Sequence, residues 1–228
     1  RRLLEACREH SAWLVADEAY EDFVYEGEAH RSAAGAAMPA ELADGVVSLY
    51  TFSKSYGLAG WRVGYASYPR RLHESLLKVQ DTLPTHAAIA SQAVAAYALT
   101  ELGPAWVAEQ FATLAPARAR LWEALQPLYR EPLRRGTLPP RQPRGAFYYL
   151  LPLPEGVEEE MAIALLAQRH QLLLLPGSAF GQPGVLRLSY GGLADAAEVD
   201  AVATRLAAGV RELILLHNHY TGTIEGTI

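Results

Sequence analysis

Length, composition and charge describe a soluble globular chain and exclude several classes of protein. The sequence has 228 residues, half of them hydrophobic and a fifth charged, with a formal net charge of −5. We expect one large domain or two small ones with a real core, rather than a disordered chain. The mild acidity argues against nucleic acid as a partner. The one cysteine, Cys7, excludes a disulfide framework within the chain and fits a reducing compartment, the cytoplasm.

Neither a membrane span nor an export signal is expected. No apolar run approaches the ~20 residues that a spanning helix needs. The sequence begins with two arginines and no Met, but Glu5, Arg8 and Glu9 follow at once, so the apolar region of a signal peptide is missing. We expect that processing or truncation removed what came before.

The first half of the chain alternates helical patterns with short apolar runs. Residues 1–10 predict a helix, and residues 12–16 predict a buried strand that ends at Asp17. Residues 26–45 indicate a loop with a short helix. Two further strands are predicted at 46–52 and 61–66, and the alanine-rich stretch 87–99 predicts a helix. This alternation is typical of an α/β unit with parallel strands.

The second half predicts a helical bridge followed by a smaller α+β unit. The bridge opens at Pro104, is expected to kink or break at Pro116, and ends at Pro127. Residues 131–144 indicate an irregular loop, and strands are predicted at 145–151, 172–175 and 185–190, with a helix at 158–170. Asp195 and Glu198 resemble a capping box. The helix that they open carries one apolar stripe, formed by Val199, Val202, Leu206, Val210 and Leu213. We place a domain boundary near residue 105.

Chemistry is concentrated around one lysine. Lysine occurs only at positions 54 and 78, and Lys54 lies in Thr51-Phe52-Ser53-Lys54, ahead of Gly60-Trp61-Arg62-Val63-Gly64-Tyr65. Hydroxyls with an arginine suit a phosphate group. A lysine suits an amine nucleophile, because arginine neither deprotonates nor forms an imine. Any one of these residues alone would be read as a solvated charge, but the whole string makes that reading the weaker one.

These motifs resemble the cofactor-lysine signature of pyridoxal-phosphate enzymes of the aspartate aminotransferase fold, the class I/II aminotransferases. Upstream, Asp17-Glu18-Ala19-Tyr20 is similar to that family's Asp-x-x-Tyr motif. Downstream, the stretches 145–148, 176–181 and 186–190 resemble motifs of its small domain. Five motifs in the right order, over nearly the whole chain to about residue 214, make the resemblance specific.

The resemblance implies an α/β fold. Residues 1–105 would be the C-terminal part of a mostly parallel-sheet, three-layer large domain that binds the cofactor. Residues 106–216 would form a smaller α+β domain, followed by a tail at 217–228. The resemblance begins in the middle of the family's pattern, so we expect an N-terminally truncated member. The loop that caps the phosphate and the aromatic that stacks on the cofactor ring are not matched.

The resemblance also implies a cofactor, pyridoxal 5′-phosphate, and assigns its ligands. Lys54 would be the catalytic residue, forming a Schiff base with the cofactor and then moving a proton. Asp17 would pair with the pyridinium nitrogen, and Tyr20 would hydrogen-bond the phenolic oxygen. Thr51 would bind the phosphate, at a position where the family often has serine.

Two further roles complete the implied site, and no metal is expected. Ser53 and Arg62 would bind the phosphate together with Thr51. Arg187 would clamp the substrate α-carboxylate in a fork geometry. Its neighbours Val185, Leu186 and Leu188 suggest a strand running into the interior, where an unpaired arginine is costly.

The activity that the resemblance implies is transfer of an amino group from an amino acid to a 2-oxo acid by a cytoplasmic homodimer. The alternatives are a pyridoxal-phosphate-dependent C–S lyase or synthase, an aminotransferase-like ligand-sensing domain of a transcription regulator, and a degenerate remnant that binds no cofactor. The sequence leaves the amino acid and the oxo acid open.

Overall fold

A computed structural model of the chain describes residues 2–25, 27, 29–35, 43–129, 140–193 and 195–221. Two compact units make up the chain, residues 1–111 and 112–228. The division falls at the end of a helix within the predicted bridge, a little beyond the boundary expected near residue 105. The assignment of these units to a cofactor domain and a small domain stays a prediction.

The first unit is built on a three-stranded mixed sheet. Its helices and strands are α1 (Arg2–Glu9), β1 (Leu14–Asp17), β2 (Val46–Thr51), β3 (Gly64–Ser67), α2 (His73–Thr82), α3 (Ile89–Tyr97) and α4 (Gly103–Ala112). β1 runs parallel to β2, with Leu14 opposite Val46. β3 runs antiparallel to β2, with Gly64 opposite Thr51. The carboxyl ends of β1 and β2 and the amino end of β3 therefore lie along one edge of the sheet.

Small apolar clusters among the described residues help to hold this unit together. One contains the buried side chains of Phe52, Val63, Ala95 and Ala98, and another contains Leu4 and Val46. The first cluster joins α3 to the segment between β2 and β3. It therefore supports the turn that carries Lys54.

The predictions for the first unit need two corrections. The strand expected at 61–66 begins only at Gly64, because Ala59–Trp61 forms a 3₁₀ turn and Arg62 has a left-handed backbone with φ 52°. α2 was not predicted. Part of the loop expected at 26–45 lies outside the described residues.

The helical bridge breaks before its proline. α4 ends at Ala112, and α5 (Leu114–Leu125) begins after Thr113. Pro116 is the third residue of α5, in the first turn, where a missing N–H removes no intrahelical hydrogen bond. The break was predicted correctly, but Pro116 lies just inside the second helix rather than at the break.

The second unit packs helices on a three-stranded antiparallel sheet. After α5 come β4 (Tyr148–Pro152), α6 (Glu159–His170), β5 (Leu175–Pro176), β6 (Val185–Ser189) and α7 (Ala196–Thr221). The strand order is β4-β6-β5. The strand expected at 145–151 starts only at Tyr148, after Ala146 with φ 54°. Of the strand expected at 172–175, only Leu175 forms part of a strand, as the first residue of the two-residue strand β5.

α7 follows its predicted pattern closely. All five residues of the apolar stripe are buried, and the Asp195 carboxylate accepts a hydrogen bond from the Glu198 backbone N–H at 3.0 Å. The helix continues to Thr221, so the tail expected from His217 begins later than predicted. Residues 222–228 lie outside the described residues.

The two units together give a mixed α/β chain, as predicted. In the part of the chain that the structure describes, no helix combines the length and the apolar character needed to cross a bilayer.

Candidate active site

Most of the predicted site residues lie along one edge of the first unit's sheet. Asp17 ends β1, Thr51 ends β2, and Arg62 lies two residues before β3 begins. The turn after β2 carries Ser53 and Lys54. Strand register therefore brings these residues to one edge, whereas Arg187 belongs to the second unit.

Asp17 is exposed, and its carboxylate shapes the turn after β1. The Oδ1 atom accepts a hydrogen bond from the Ala19 backbone N–H at 3.1 Å. The next residue, Glu18, is buried and donates its backbone N–H to the Leu49 carbonyl at 2.9 Å. Because successive side chains alternate between faces, the burial of Glu18 fixes Asp17 on the open side.

Glu18 is a structural residue that was not singled out from the sequence. Its carboxylate accepts hydrogen bonds from the Ser32 hydroxyl at 2.8 Å and from the Ala33 backbone N–H at 3.4 Å. The His30 Nε2 atom lies 2.8 Å from its other oxygen. These contacts attach residues 30–33 to the end of β1. An acid beside Asp17 gave no signal of its own, because acids commonly follow strands as solvated groups.

The end of β2 and the turn after it carry two hydroxyls and the lysine. The Thr51 hydroxyl donates to the Ser53 hydroxyl at 2.9 Å and accepts the Ser53 backbone N–H at 3.1 Å. The Lys54 Nζ atom lies 5.7 Å from the centroid of the Tyr20 ring. The structure thus brings together Thr51 with Ser53, and Lys54 with Tyr20.

The backbone before β3 presents Arg62. Its left-handed conformation ends the 3₁₀ turn, and one guanidinium N–H is donated to the Ala59 carbonyl at 2.6 Å. The side chain is exposed. Two residues on, β2 and β3 approach so closely that a Cβ on Gly64 would lie 2.5 Å from the Tyr50 carbonyl oxygen. Glycine is therefore required where the strand passes this edge.

Burial and neighbouring acids raise the pKa values of three groups in the first unit. Burial raises the pKa of Glu21, and the carboxylates of Asp22 and Glu18 raise it further against the opposing effect of His30. Burial, then the nearby acids, also raises the pKa of Tyr56 and Tyr65.

Arg187 of β6 lies in an aromatic frame in the second unit. Its Cζ atom lies 3.9 Å from the centroid of the Phe180 ring and 4.6 Å from that of Tyr148. The Nε atom is buried, and it has no hydrogen-bond partner among the described residues.

The turn that carries Phe180 is held by a buried acid that sequence reasoning missed. Glu159, the first residue of α6, accepts the Ser178 hydroxyl at 2.6 Å and the Gly184 backbone N–H at 2.6 Å. Burial raises the pKa of Glu159, but the hydrogen bonds from Ser178, Gly184 and Val185 outweigh it, so the net pKa is lowered. An acid in the first turn of a helix is usually explained by its interaction with the helix dipole. The sequence therefore gives no indication that Glu159 binds the Ser178 hydroxyl and the Gly184 N–H.

The donor set of the first unit fits pyridoxal 5′-phosphate. Two neighbouring hydroxyls and an arginine suit its phosphate, a carboxylate suits its ring nitrogen, and an amine suits its aldehyde. Within the described ranges, no group of three or more His, Cys, Asp or Glu residues could hold a metal ion.

Comparison with known proteins gives one consistent result. Residues 1–206 match the family model for aminotransferase class I and II. The sequence is 39% identical over 218 residues to the aromatic aminotransferase ISS1 of Arabidopsis thaliana, covering 94% of this chain and 51% of that protein. It is 31% identical over 207 residues to an aspartate aminotransferase of Geobacillus stearothermophilus, covering 87% and 49%.

Solved structures agree with the sequence matches. The aromatic aminotransferase of Pyrococcus horikoshii OT3 superposes with a TM-score of 0.79 at 26% identity, covering 92% of this chain and 54% of that one. A double mutant of Thermus thermophilus aspartate aminotransferase gives 0.76 at 27% identity, covering 91% and 50%. The chain spans about half the length of the curated relatives that it matches. It belongs to the class I and II aminotransferase family, as its five motifs indicated.

Proposed function

We propose that this chain supplies the cofactor lysine and the carboxylate-binding arginine of a pyridoxal-phosphate-dependent aminotransferase. The enzyme would move an amino group from an amino acid to a 2-oxo acid. The observation that supports this most strongly is that strand register places the segments carrying Asp17, Lys54 and Arg62 along one sheet edge, in a chain that matches the family over residues 1–206.

The cofactor site is proposed as follows. When bound, pyridoxal 5′-phosphate supplies an electron-withdrawing ring that stabilises negative charge at the substrate Cα. The hydroxyls of Thr51 and Ser53 and the Arg62 guanidinium bind its phosphate. The Asp17 carboxylate keeps the ring nitrogen protonated, and Tyr20 donates a hydrogen bond to the phenolic oxygen.

Lys54 and Arg187 act on the reacting groups. Lys54 would hold the cofactor through its amine and the cofactor aldehyde, and the same amine would move a proton at the substrate Cα. Arg187 binds the α-carboxylate through two parallel N–H donors, which fixes the substrate's orientation. Among the described residues, the buried Nε of Arg187 has no hydrogen-bond partner. This supports a ligand at Arg187, because buried donors are normally satisfied.

The substrate class is an amino acid with a 2-oxo acid. The relatives named above are an aromatic and an aspartate aminotransferase, and the choice between such side chains is left to experiment. The homodimer and the cytoplasmic location remain predictions of the resemblance.

The proposed function is tested with the full-length protein loaded with pyridoxal 5′-phosphate. L-Phenylalanine and L-aspartate are supplied as donors and 2-oxoglutarate as acceptor, and L-glutamate is measured. We expect glutamate to form with at least one donor, and Lys54→Ala to abolish it. Absence of glutamate with both donors would contradict an aminotransferase. Release of ammonia and pyruvate from L-cystathionine, which has a C–S bond at its Cβ, would favour the C–S lyase alternative instead.

A further inference from the structure

Arg187 lies on the open face of the second unit's sheet. In the strand register it stands between Leu150 of β4 and Leu175 of β5. These two leucines are 47% and 43% exposed. The opposite face is buried, as the low exposure of Leu186 and Leu188 shows. The guanidinium is therefore a cation in an apolar frame.

Two aromatic rings lie against this guanidinium. The Phe180 and Tyr148 rings both lie within 5 Å of its Cζ atom, within the range of cation–π attraction. Its Nε atom makes no hydrogen bond to any residue that the structure describes. Contacts with two rings limit rotation of the guanidinium plane, so less freedom is lost when a planar carboxylate binds.

The position of Phe180 depends in turn on Glu159. Phe180 is 50% exposed and ends the 3₁₀ turn Gly177–Phe180, so its own packing fixes it weakly. The Glu159 carboxylate holds that turn at Ser178 and its continuation at Gly184. The start of the turn is also tightly packed, since a Cβ on Gly177 would lie 2.2 Å from the Gln182 carbonyl oxygen.

We propose that Phe180 is a positioning residue for Arg187, and that Glu159 holds it there through the Gly177–Gly184 segment. The ring orients the terminal guanidinium nitrogens toward a substrate carboxylate. This inference rests on the proposed function, in which Arg187 binds that carboxylate. It means that Phe180 and Glu159, which lie outside the predicted site, contribute to substrate affinity.

The test measures binding of two probes to the full-length, cofactor-loaded protein by calorimetry. The probes are 3-phenylpropionate and its uncharged counterpart 3-phenylpropanamide. For Phe180→Leu we expect binding of the acid to weaken about three- to thirtyfold, as loss of a cation–π contact predicts. Binding of the amide should be unchanged, and KM for the amino acid should rise while kcat stays within about twofold. Phe180→Tyr, which keeps a ring, should bind the acid as the wild type does.

A second arm tests the support from Glu159. Glu159→Gln is expected to weaken acid binding selectively, but this residue is buried and the variant risks misfolding. Ser178→Ala removes only an exposed residue's hydroxyl bond to Glu159. It should weaken acid binding about two- to tenfold. Leu173→Ala, at an 81% exposed position outside this segment, is the control and should change nothing.

The outcomes separate this inference from the proposed function. Wild-type affinity in both Phe180→Leu and Ser178→Ala, or equal weakening of acid and amide, would overturn the positioning role alone. If Arg187→Lys also bound the acid as well as the wild type, the carboxylate site itself would be wrong and both proposals would fall.

Discussion

At the scale of single residues, Asp17 combines two separable roles. Its Oδ1 atom accepts the Ala19 backbone N–H, and its charge is proposed to pair with the cofactor ring. Asparagine keeps the oxygen and removes the charge. We therefore expect Asp17→Asn to leave the thermal unfolding midpoint nearly unchanged and to lower kcat by about 10²–10³, the usual cost of removing one preorganised electrostatic group.

The matched control for this variant is Asp22→Asn, which alters an exposed acid a few residues further along. Its kcat should stay close to the wild-type value. Steady-state kinetics and thermal melts on the full-length protein provide the measurement. Wild-type kcat in Asp17→Asn would remove this residue from the cofactor site.

Gly64 lies where the sheet edge leaves no room for a side chain. Its missing Cβ leaves room for the Tyr50 carbonyl oxygen, and that backbone atom moves only if β2 and β3 separate. We expect Gly64→Ala to lower the free energy of unfolding by about 1–3 kcal/mol, the range for overpacking. Chemical denaturation measures it.

Gly60 offers the comparison for Gly64. A Cβ there would meet nothing within 4 Å. Gly60→Ala should change the free energy of unfolding by no more than about 0.5 kcal/mol. Equal destabilisation in the two variants would show that the close approach at Gly64 does not govern this edge.

At the scale of elements, an acid on α7 joins this helix to α6. Glu212 accepts hydrogen bonds from His170, at 2.8 Å, and from Arg169. The hydrogen bond from His170 lowers the pKa of Glu212 below its ordinary 4.5 even though burial opposes the shift, and Arg169 adds to the lowering. A carboxyl whose pKa is lower in the folded state than in the unfolded state stabilises the fold at pH values above its unfolded-state pKa. This stabilisation is lost as the pH falls through its folded-state pKa.

This linkage predicts a pH-dependent difference. Glu212→Gln should have a lower free energy of unfolding than the wild type at pH 7, and the difference should shrink as pH falls below about 4.5. Glu160→Gln changes an exposed acid on α6 and should show no such difference. Urea denaturation at a series of pH values measures both. A constant gap for Glu212→Gln across the series would contradict the linkage.

Elements were predicted well where one physical signal dominated. α7 has an uninterrupted apolar stripe and a capping acid, and both were readable from the sequence. α2 was missed although Leu76 and Val79, with Leu72 and Leu83 at its two ends, recur at helical spacing. None of the residues of α2 is buried. The start of β3 was wrong because a left-handed backbone at Arg62 is not encoded by its residue type, since arginine rarely adopts it.

At the scale of the whole molecule, the proposed site residues are divided between two units. Asp17, Lys54 and Arg62 belong to residues 1–111, and Arg187 belongs to residues 112–228. Motifs are the basis on which these residues are proposed, because each lies in a short string of distinctive composition. Glu18 and Glu159 were not predictable, because their function depends on backbone N–H groups that only the folded chain brings to them.

The central claim is that Lys54 carries the cofactor, and the chain provides its own control because Lys78 is its only other lysine. The full-length protein is loaded with pyridoxal 5′-phosphate, reduced with borohydride, digested and examined by mass spectrometry. We predict that the cofactor's mass is found on the peptide containing Lys54, is lost in Lys54→Ala and is retained in Lys78→Ala. A label on Lys78 or on another residue, or no label at saturating cofactor, would contradict the account.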